Sequence, residues 1–262
     1  MTISRPEAKS LTDAFGLTGK RAIVTGASRG IGRAITLAFA AVGAQVCAVA
    51  RSRSGLAETV SLAEGLEGSV TAVEGDLTSP DGIADTVEAA ADALGGIDIL
   101  VNNAGLDNEE SLDRTSLEVW QQVFDLNVRS VFLVCKAAAP YLLEGGGKVI
   151  NVASMFGQVG VRGEIAYVTS KHAVVGFTKA LAMEWARKGI QVNSLGPGFV
   201  ETDMLKAAAS DEAVAAFMRR STPMGRWAQP EEMTGAAVFL ASSASDFMTG
   251  QLLLVDGGYT AQ

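Results

Sequence analysis

Short runs of β-branched and other apolar residues alternate along the chain with longer Ala-rich stretches, in which apolar positions recur at helical spacing. "RAIVTG" is followed by "IGRAITLAFAAVG", "AQVCAVA" by "GLAETVSLAEGL", and "VTAVEGDL" by "DGIADTVEAAADALGG". "DILVNNAG" precedes the long stretch "LEVWQQVFDLNVRSVFLVCKAAAPYLLEG", and "GKVINVAS" precedes the helical pattern around Tyr167. "IQVNSLGPG" leads through a polar stretch to "PEEMTGAAVFLAS", and "GQLLLVDGG" comes last. That makes about seven strand–helix units, and continuously apolar strands predict a parallel sheet covered on both faces. A closed eight-stranded barrel and an open, doubly wound sheet both fit this alternation. The first unit separates them. "VTGASRGIG" gathers three glycines at a strand-to-helix turn, where an open dinucleotide-binding sheet carries its phosphate loop. The expected fold is therefore a three-layer α/β/α, Rossmann-like domain with seven parallel strands, spanning residues 1–262. Within it, the polar and Ala-rich segment 201–227 is a candidate substrate lid.

Gly26, Gly30 and Gly32 read G-x-x-x-G-x-G, a departure from the generic G-x-G-x-x-G spacing. The physical logic is retained. Glycines let the backbone approach a pyrophosphate, whose charge faces the N-terminus of the following helix. The second strand ends at Ala50, where an NAD-binding sheet often offers an acid to the ribose hydroxyls. Arg51 follows directly, and Arg29 stands inside the glycine loop. Two guanidiniums can clamp a 2′-phosphate, which favours NADP(H) and leaves NAD(H) as the lesser expectation; two solvated loop arginines are the plainer alternative. Asp76, after the third strand, is a candidate acceptor for the adenine amino group or a loop cap.

Tyr167 and Lys171 are four residues apart, one helical turn, so phenol and ammonium share a helix face. The pair is poor packing but usable proton chemistry, because a neighbouring ammonium is expected to pull a phenol down from its ordinary value near 10. Composition narrows the alternatives. The chain has 262 residues, 48% of them hydrophobic, and a net charge of −8. An acidic chain without a Lys/Arg run is a poor nucleic-acid binder. Cys47 and Cys135 sit in apolar runs without metal-ligand spacing, as reduced core residues would, and no metal constellation is present. No signal peptide and no uninterrupted apolar run of bilayer length is seen, so a soluble, cytoplasmic setting with no membrane is expected.

In order along nearly the whole chain, "TGASRGIG" (25–32), "GDL" (75–77), "NNAG" (102–105), Asn127 in "LNVRSVF", Ser154, "YVTSK" (167–171), "PGFVET" (197–202) and "VDGG" resemble the short-chain dehydrogenase/reductase family. The C-terminal half is similar to gluconate 5-dehydrogenases and 3-oxoacyl-carrier-protein reductases within it. The resemblance implies an active site of Asn127, Ser154, Tyr167 and Lys171. Tyr167 would exchange a proton with the substrate oxygen, and Ser154 would hold that oxygen. Lys171 would hold the nicotinamide ribose, and Asn127 a water beside Lys171. It further implies cofactor contacts from Gly26, Ser28, Arg29, Gly30, Ile31 and Gly32, and from Arg51, Asp76 and Leu77. Asn103, Ala104, Gly105, Pro197, Gly198, Val200 and Thr202 complete that set, with Asn103 tying neighbouring strands. Val200 would meet the carboxamide through its backbone, and Thr202 the amide or a phosphate. His172, one position from Lys171, faces another way. A homotetramer is implied by the family, while the apolar helices around 117–143 and 166–187 support self-association in general.

The substrate is the least legible element. Pocket candidates Met155, Phe156, Val159, Val161, Ile165, Phe199, Met204 and Leu205 are apolar. Asp107, Glu109 and Glu110 follow "NNAG" and would repel a carboxylate unless Arg162 compensates. The expectation is a neutral, fairly hydrophobic secondary alcohol and its ketone. A sugar-acid dehydrogenase or a 3-oxoacyl-carrier-protein reductase is the alternative, the latter needing basic surface that only Lys148 and Arg129 supply. A non-catalytic nucleotide sensor would show a damaged tetrad, and here none of the four is missing.

Overall fold

The computed structural model describes residues 10–208 and 210–261, with only the backbone for Met204, Ala207 and Ala208. The chain begins with α1 (Leu11–Phe15), whose first turn is capped by the Ser10 hydroxyl. Then follow β1 (Arg21–Thr25), α2 (Gly30–Ala41), β2 (Gln45–Ala50), α3 (Arg53–Leu62), β3 (Ser69–Glu74), α4 (Pro80–Leu94) and β4 (Ile99–Asn102). Next come α5 (Leu117–Phe124), α6 (Ser130–Gly145), β5 (Gly147–Val152), α7 (Ile165–Trp185) and β6 (Ile190–Pro197). The chain ends through α8 (Asp203–Ala208), α9 (Glu212–Ser221), α10 (Thr234–Ala241) and β7 (Leu252–Val255).

All seven strands run parallel in the order β3-β2-β1-β4-β5-β6-β7. The sheet is open, with β3 and β7 at its edges. Winding reverses between β1 and β4, which leaves a crevice at the carboxyl ends of the strands. Side chains alternate across the sheet. Ala22 and Val24 enter a core with Ile35 and Phe39 of α2 and Leu240 of α10. Ile23 enters the opposite core with Ile83 and Val87 of α4, Val134 and Leu142 of α6, and Trp185 of α7. Burial on both faces explains why the strands read as unbroken apolar runs. Cys47 and Cys135 are free and buried, and burial pushes their thiols up to about 11 and about 12.

Two features depart from the sequence pattern. The long stretch after β4 is not one regular helix: a π-helical turn, Asp125–Arg129, separates α5 from α6 and contains Asn127. Residues Leu117–Gly145 together are long and apolar enough, by length and composition, to cross a membrane, although Glu118, Asp125, Arg129, Lys136 and Glu144 interrupt them, so they are not an uninterrupted apolar run. Their inner face (Val131, Val134, Cys135, Ala138, Leu142) is buried against the sheet. Segment 201–227 folds back on itself. It leaves and rejoins the body at a bridge between Val200 and Ala228. There Glu201 N donates to the Ala228 carbonyl at 2.8 Å, and Ala228 N to the Phe199 carbonyl at 2.8 Å.

Candidate active site

A cleft of about 920 Å³ follows the carboxyl ends of the strands. Its nucleotide end is built by the β1–α2 turn. Gly26 has φ of 67°, a region that disfavours side chains. A Cβ at Gly32 would collide with the Gly26 carbonyl and the Asn103 amide, so this close packing of helix start on strand end requires glycine. α2 begins at Gly30 with no side-chain cap from Arg29, so its first N–H groups are not taken up by a capping side chain. Asn103 Nδ2 donates to the Thr25 carbonyl at 2.9 Å, joining the ends of β1 and β4 beneath the loop.

Ser28, Arg29, Ile31, Arg51, Asp76, Leu77, Ala104 and Gly105 all line this end, with Gly26, Gly30, Gly32 and Asn103. Arg29 is exposed and pairs with Asp203 at 2.8 Å. Asp76 serves as a loop cap: its Oδ1 accepts from Thr78 N at 3.0 Å and from the Thr78 hydroxyl at 2.9 Å, which holds the carboxyl below its usual range. Ser52 and Ser54 also line the cleft and were not singled out in the sequence, although they flank Arg53 in the hydroxyl-rich run "RSRS". At the end of β6 and just after it, Pro197, Gly198, Val200 and Thr202 also line the cleft. The Thr202 hydroxyl accepts from Leu205 N at 3.3 Å.

At the other end, β5 delivers Ser154 and α7 delivers Tyr167 and Lys171. The Ser154 hydroxyl accepts from Phe156 N at 3.1 Å and shares the cleft with the Tyr167 phenol. The Tyr167 phenol is pushed up, not down. Burial is the largest cause, the Asp107 charge adds to it, the Ser154 hydroxyl opposes it, and Glu164 raises it further. Lys171 corrects the expectation drawn from spacing. It is 5% exposed, its Nζ lies over the Tyr167 ring 5.4 Å from the centroid, and it donates to the Val152 carbonyl at 3.0 Å. Burial brings this lysine down to about 8.

Asn127 does not line the cleft; it fastens its wall. Its Nδ2 donates to the Leu106 carbonyl at 2.8 Å and to the Ser170 hydroxyl at 3.0 Å, while its Oδ1 accepts from Leu106 N at 2.9 Å. Both amide protons are thereby engaged within the protein. Ser170 in turn donates to the Tyr167 carbonyl at 2.7 Å. His172 is exposed on the outer side of α7, its Nδ1 3.0 Å from the Val168 carbonyl.

Of the pocket candidates, Met155, Phe156, Phe199 and Leu205 line the cleft, whereas Val159, Val161 and Ile165 do not. The side chain of Met204 lies outside the described residues. Phe156, Phe199 and Tyr259 pack edge to face with centroids 5.7–6.0 Å apart. Met218 of α9 and Glu164 also line the cleft and were missed. Glu164 stands just before α7, and nothing in the sequence shows which way a residue at a helix boundary points. Asp107 and Glu109 face the same space. Burial, helped by neighbouring carboxylates, raises Asp107 to about 6 and Glu164 to about 8. Among the described residues no group of His, Cys, Asp or Glu could hold a metal ion.

An open, parallel sheet with a glycine turn after β1 and a Ser–Tyr–Lys set at its carboxyl edge defines an oxidoreductase of the short-chain dehydrogenase/reductase family, to which this chain belongs. The family model described as Enoyl-(Acyl carrier protein) reductase matches residues 26–260. The chain is 42% identical to gluconate 5-dehydrogenase of Gluconobacter oxydans (strain 621H) over 251 residues, 95% of this chain and 97% of that one. It is 40% identical to a 3-oxoacyl-[acyl-carrier-protein] reductase of Thermotoga maritima over 243 residues, covering 92% and 98%. The crystal structure of a gluconate 5-dehydrogenase from Burkholderia cenocepacia J2315, in complex with NADP and tartrate, superposes with a TM-score of 0.90 at 36% identity, covering 97% and 100%.

Proposed function

We propose that this protein is an NADP(H)-dependent oxidoreductase that interconverts a secondary alcohol and a ketone, with Tyr167 as the general acid/base. The observation that carries it is the gathering of Ser154, Tyr167 and Lys171, the last one turn further along α7, in the same cleft as the glycine turn after β1. A dinucleotide fits the residues present: side-chain-free backbone at Gly26 and Gly32, the start of α2, and Gly105 beside Lys171. Arg29 and Arg51, with no acid at Ala50, suit a 2′-phosphate, and the Burkholderia relative binds NADP. The reduced nicotinamide supplies the hydride when bound. Ser154 donates a hydrogen bond to the substrate oxygen, and Tyr167 passes its proton to that oxygen during reduction. A phenol pushed up by burial keeps its proton at neutral pH, which suits the acid role. Lys171 holds the ribose hydroxyls.

Met155, Phe156, Phe199 and Leu205 give the substrate an apolar wall, and Asp107, Glu109 and Glu164 disfavour a carboxylate. The substrate is therefore a ketone or alcohol without an acid group. A second reading, oxidation of a sugar acid, draws on the 42% identity with the Gluconobacter enzyme. Comparing neutral alicyclic ketones with 5-ketogluconate in the presence of NADPH separates the two by specificity constant. Tyr167→Phe is expected to lower kcat by at least about a hundredfold while NADPH binding, read by nucleotide fluorescence, persists. Turnover close to wild type would remove Tyr167 as the acid/base. The exposed apolar residues Phe132 of α6 and Met183 of α7, with the half-buried edge strand β7, support self-association, with the tetramer as the expected form.

A further inference from the structure

A row of buried polar side chains crosses the middle of an otherwise apolar sheet. Asn102 of β4 is in register with Asn151 of β5, and Asn151 with Ser194 of β6. All are buried. One step back along the same face the corresponding row is Leu100, Val149 and Val192, which belongs to the core under α4, α6 and α7. Amides and a hydroxyl in such a place are costly unless each finds a partner.

The partners converge on α7. Asn102 Nδ2 donates to Asn151 Oδ1 at 2.9 Å and to Cys135 Sγ of α6 at 3.3 Å. Asn151 Nδ2 donates to the Thr178 hydroxyl at 2.8 Å, and the Ser194 hydroxyl donates to the same oxygen at 2.8 Å. Thr178 donates its own proton to the Val174 carbonyl at 2.9 Å. A hydroxyl has one proton and two lone pairs, so Thr178 is saturated. It lies two turns beyond Lys171 on the sheet-facing side of α7, among Val174, Leu181, Ala182 and Trp185. Those apolar contacts decide which side of α7 meets the sheet. They are non-directional, so they fix its position along its own axis only weakly. Two hydrogen bonds from adjacent strands to one oxygen are limited in both distance and angle, and they fix it closely.

We propose that Thr178, held by Asn151 and Ser194, is a positioning residue that fixes α7 along its axis and so sets Lys171 and Tyr167 at the carboxyl ends of the strands. The inference rests on the Tyr167 acid/base reading above and adds the residues that act on that site from beneath. None of Asn151, Thr178 and Ser194 lines the cleft, so they act through α7 and not on a substrate. The link is short. Asn151 directly precedes Val152, whose carbonyl accepts from Lys171 Nζ at 3.0 Å. β5 therefore grips α7 twice, through neighbouring residues of the strand. The Lys171 grip is a long side chain with several rotatable bonds, whereas the Thr178 grip joins short side chains, one of them stiff at χ1. The second grip sets the helix and the first follows it. A shift of about 1 Å at a reacting group lowers turnover by about a hundredfold.

The test uses the full-length protein with NADPH and cyclohexanone. Thr178→Val keeps the branched shape and removes the hydroxyl; Thr178→Ser keeps the hydroxyl. In Thr178→Val, kcat is expected to fall by at least about tenfold. KM for NADPH should stay within about threefold of wild type, because the β1–α2 turn builds the nucleotide end. Thr178→Ser should restore kcat to within about threefold. Phe39→Ala, a core variant on the other face of the sheet, controls for lost stability and should keep the wild-type kcat per folded molecule. Wild-type kcat in Thr178→Val, a Thr178→Ser protein as slow as Thr178→Val, or an equal loss in Phe39→Ala overturns the inference and leaves the Tyr167 reading standing. If Thr178→Val does not fold, Ser194→Ala decides in its place: a fall in kcat of about threefold or more upholds the inference, and an unchanged kcat overturns it. If the wild type does not reduce cyclohexanone, the result counts against the ketone reading alone, and a crystal structure of the variant decides. Lys171 Nζ displaced from the Val152 carbonyl upholds the positioning role, and Lys171 in place overturns it.

Discussion

Ala50 ends β2 with a methyl group at the position where a carboxylate would meet ribose hydroxyls, and Arg51 beside it is exposed to the cleft. A guanidinium rewards a 2′-phosphate and a carboxylate repels one. Ala50→Asp combined with Arg51→Asp is therefore expected to shift the NADPH/NADH ratio of kcat/KM toward NADH by at least about tenfold, read by steady-state kinetics with both cofactors. An unchanged ratio would move the phosphate contact to Arg29 or to the Ser52 and Ser54 hydroxyls. Glu164 yields a second prediction at this scale. Its carboxyl is raised from 4.5 to about 8 in the folded protein, so the folded state retains a proton that the unfolded chain releases. Stability from this group is present below pH 4.5 and is lost as pH rises toward 8; Asp107 acts alike between 3.8 and about 6. Thermal melts should show Tm falling less between pH 5 and pH 8 in Glu164→Gln than in the wild type. Parallel curves would mean that Glu164 is ionised in the folded protein.

Among the elements, the π-helical turn between α5 and α6 has the clearest consequence. It places Asn127 where its amide reaches both the chain after β4 and the Ser170 hydroxyl, and Ser170 reaches the Tyr167 carbonyl. The side chain thus braces the cleft wall and the first turn of α7 together. Asn127→Ala leaves the Leu106 N–H and carbonyl without their partner, at a cost of about 1–3 kcal/mol, measurable by urea denaturation. Turnover should fall as well, because Tyr167 loses its support, with less change in KM for NADPH than in kcat. Asn127 was legible as a candidate from its place in "LNVRSVF". Its bracing contacts were not, since helical periodicity over 117–145 gives no sign of one extra residue in a turn. The segment 201–227 was legible as an irregular insertion. That its ends are stitched at Val200 and Ala228 follows from backbone pairing that no local pattern announces.

At the scale of the whole molecule, stability rests on two cores separated by the sheet. Phe39 is fully buried in the first, between α2 and the strands. Phe39→Ala is expected to cost about 3–5 kcal/mol, checked by chemical denaturation, while residual activity per folded molecule changes little because the cleft lies at the strand ends. Strand number, parallel pairing, the glycine turn and the one-turn spacing of Tyr167 and Lys171 were all determined by the sequence alone. They depend on local periodicity, on side-chain volume and on residues a few positions apart. Tertiary structure alone decided which groups lose water and which meet. It set Lys171 over the phenol ring and against the Val152 carbonyl, and made burial the dominant influence on Tyr167. It also brought Glu164 beside Asp107 and Glu109 with one oxygen unpartnered. Charge energetics turn on desolvation and on distances between residues more than fifty positions apart, and a linear pattern carries neither.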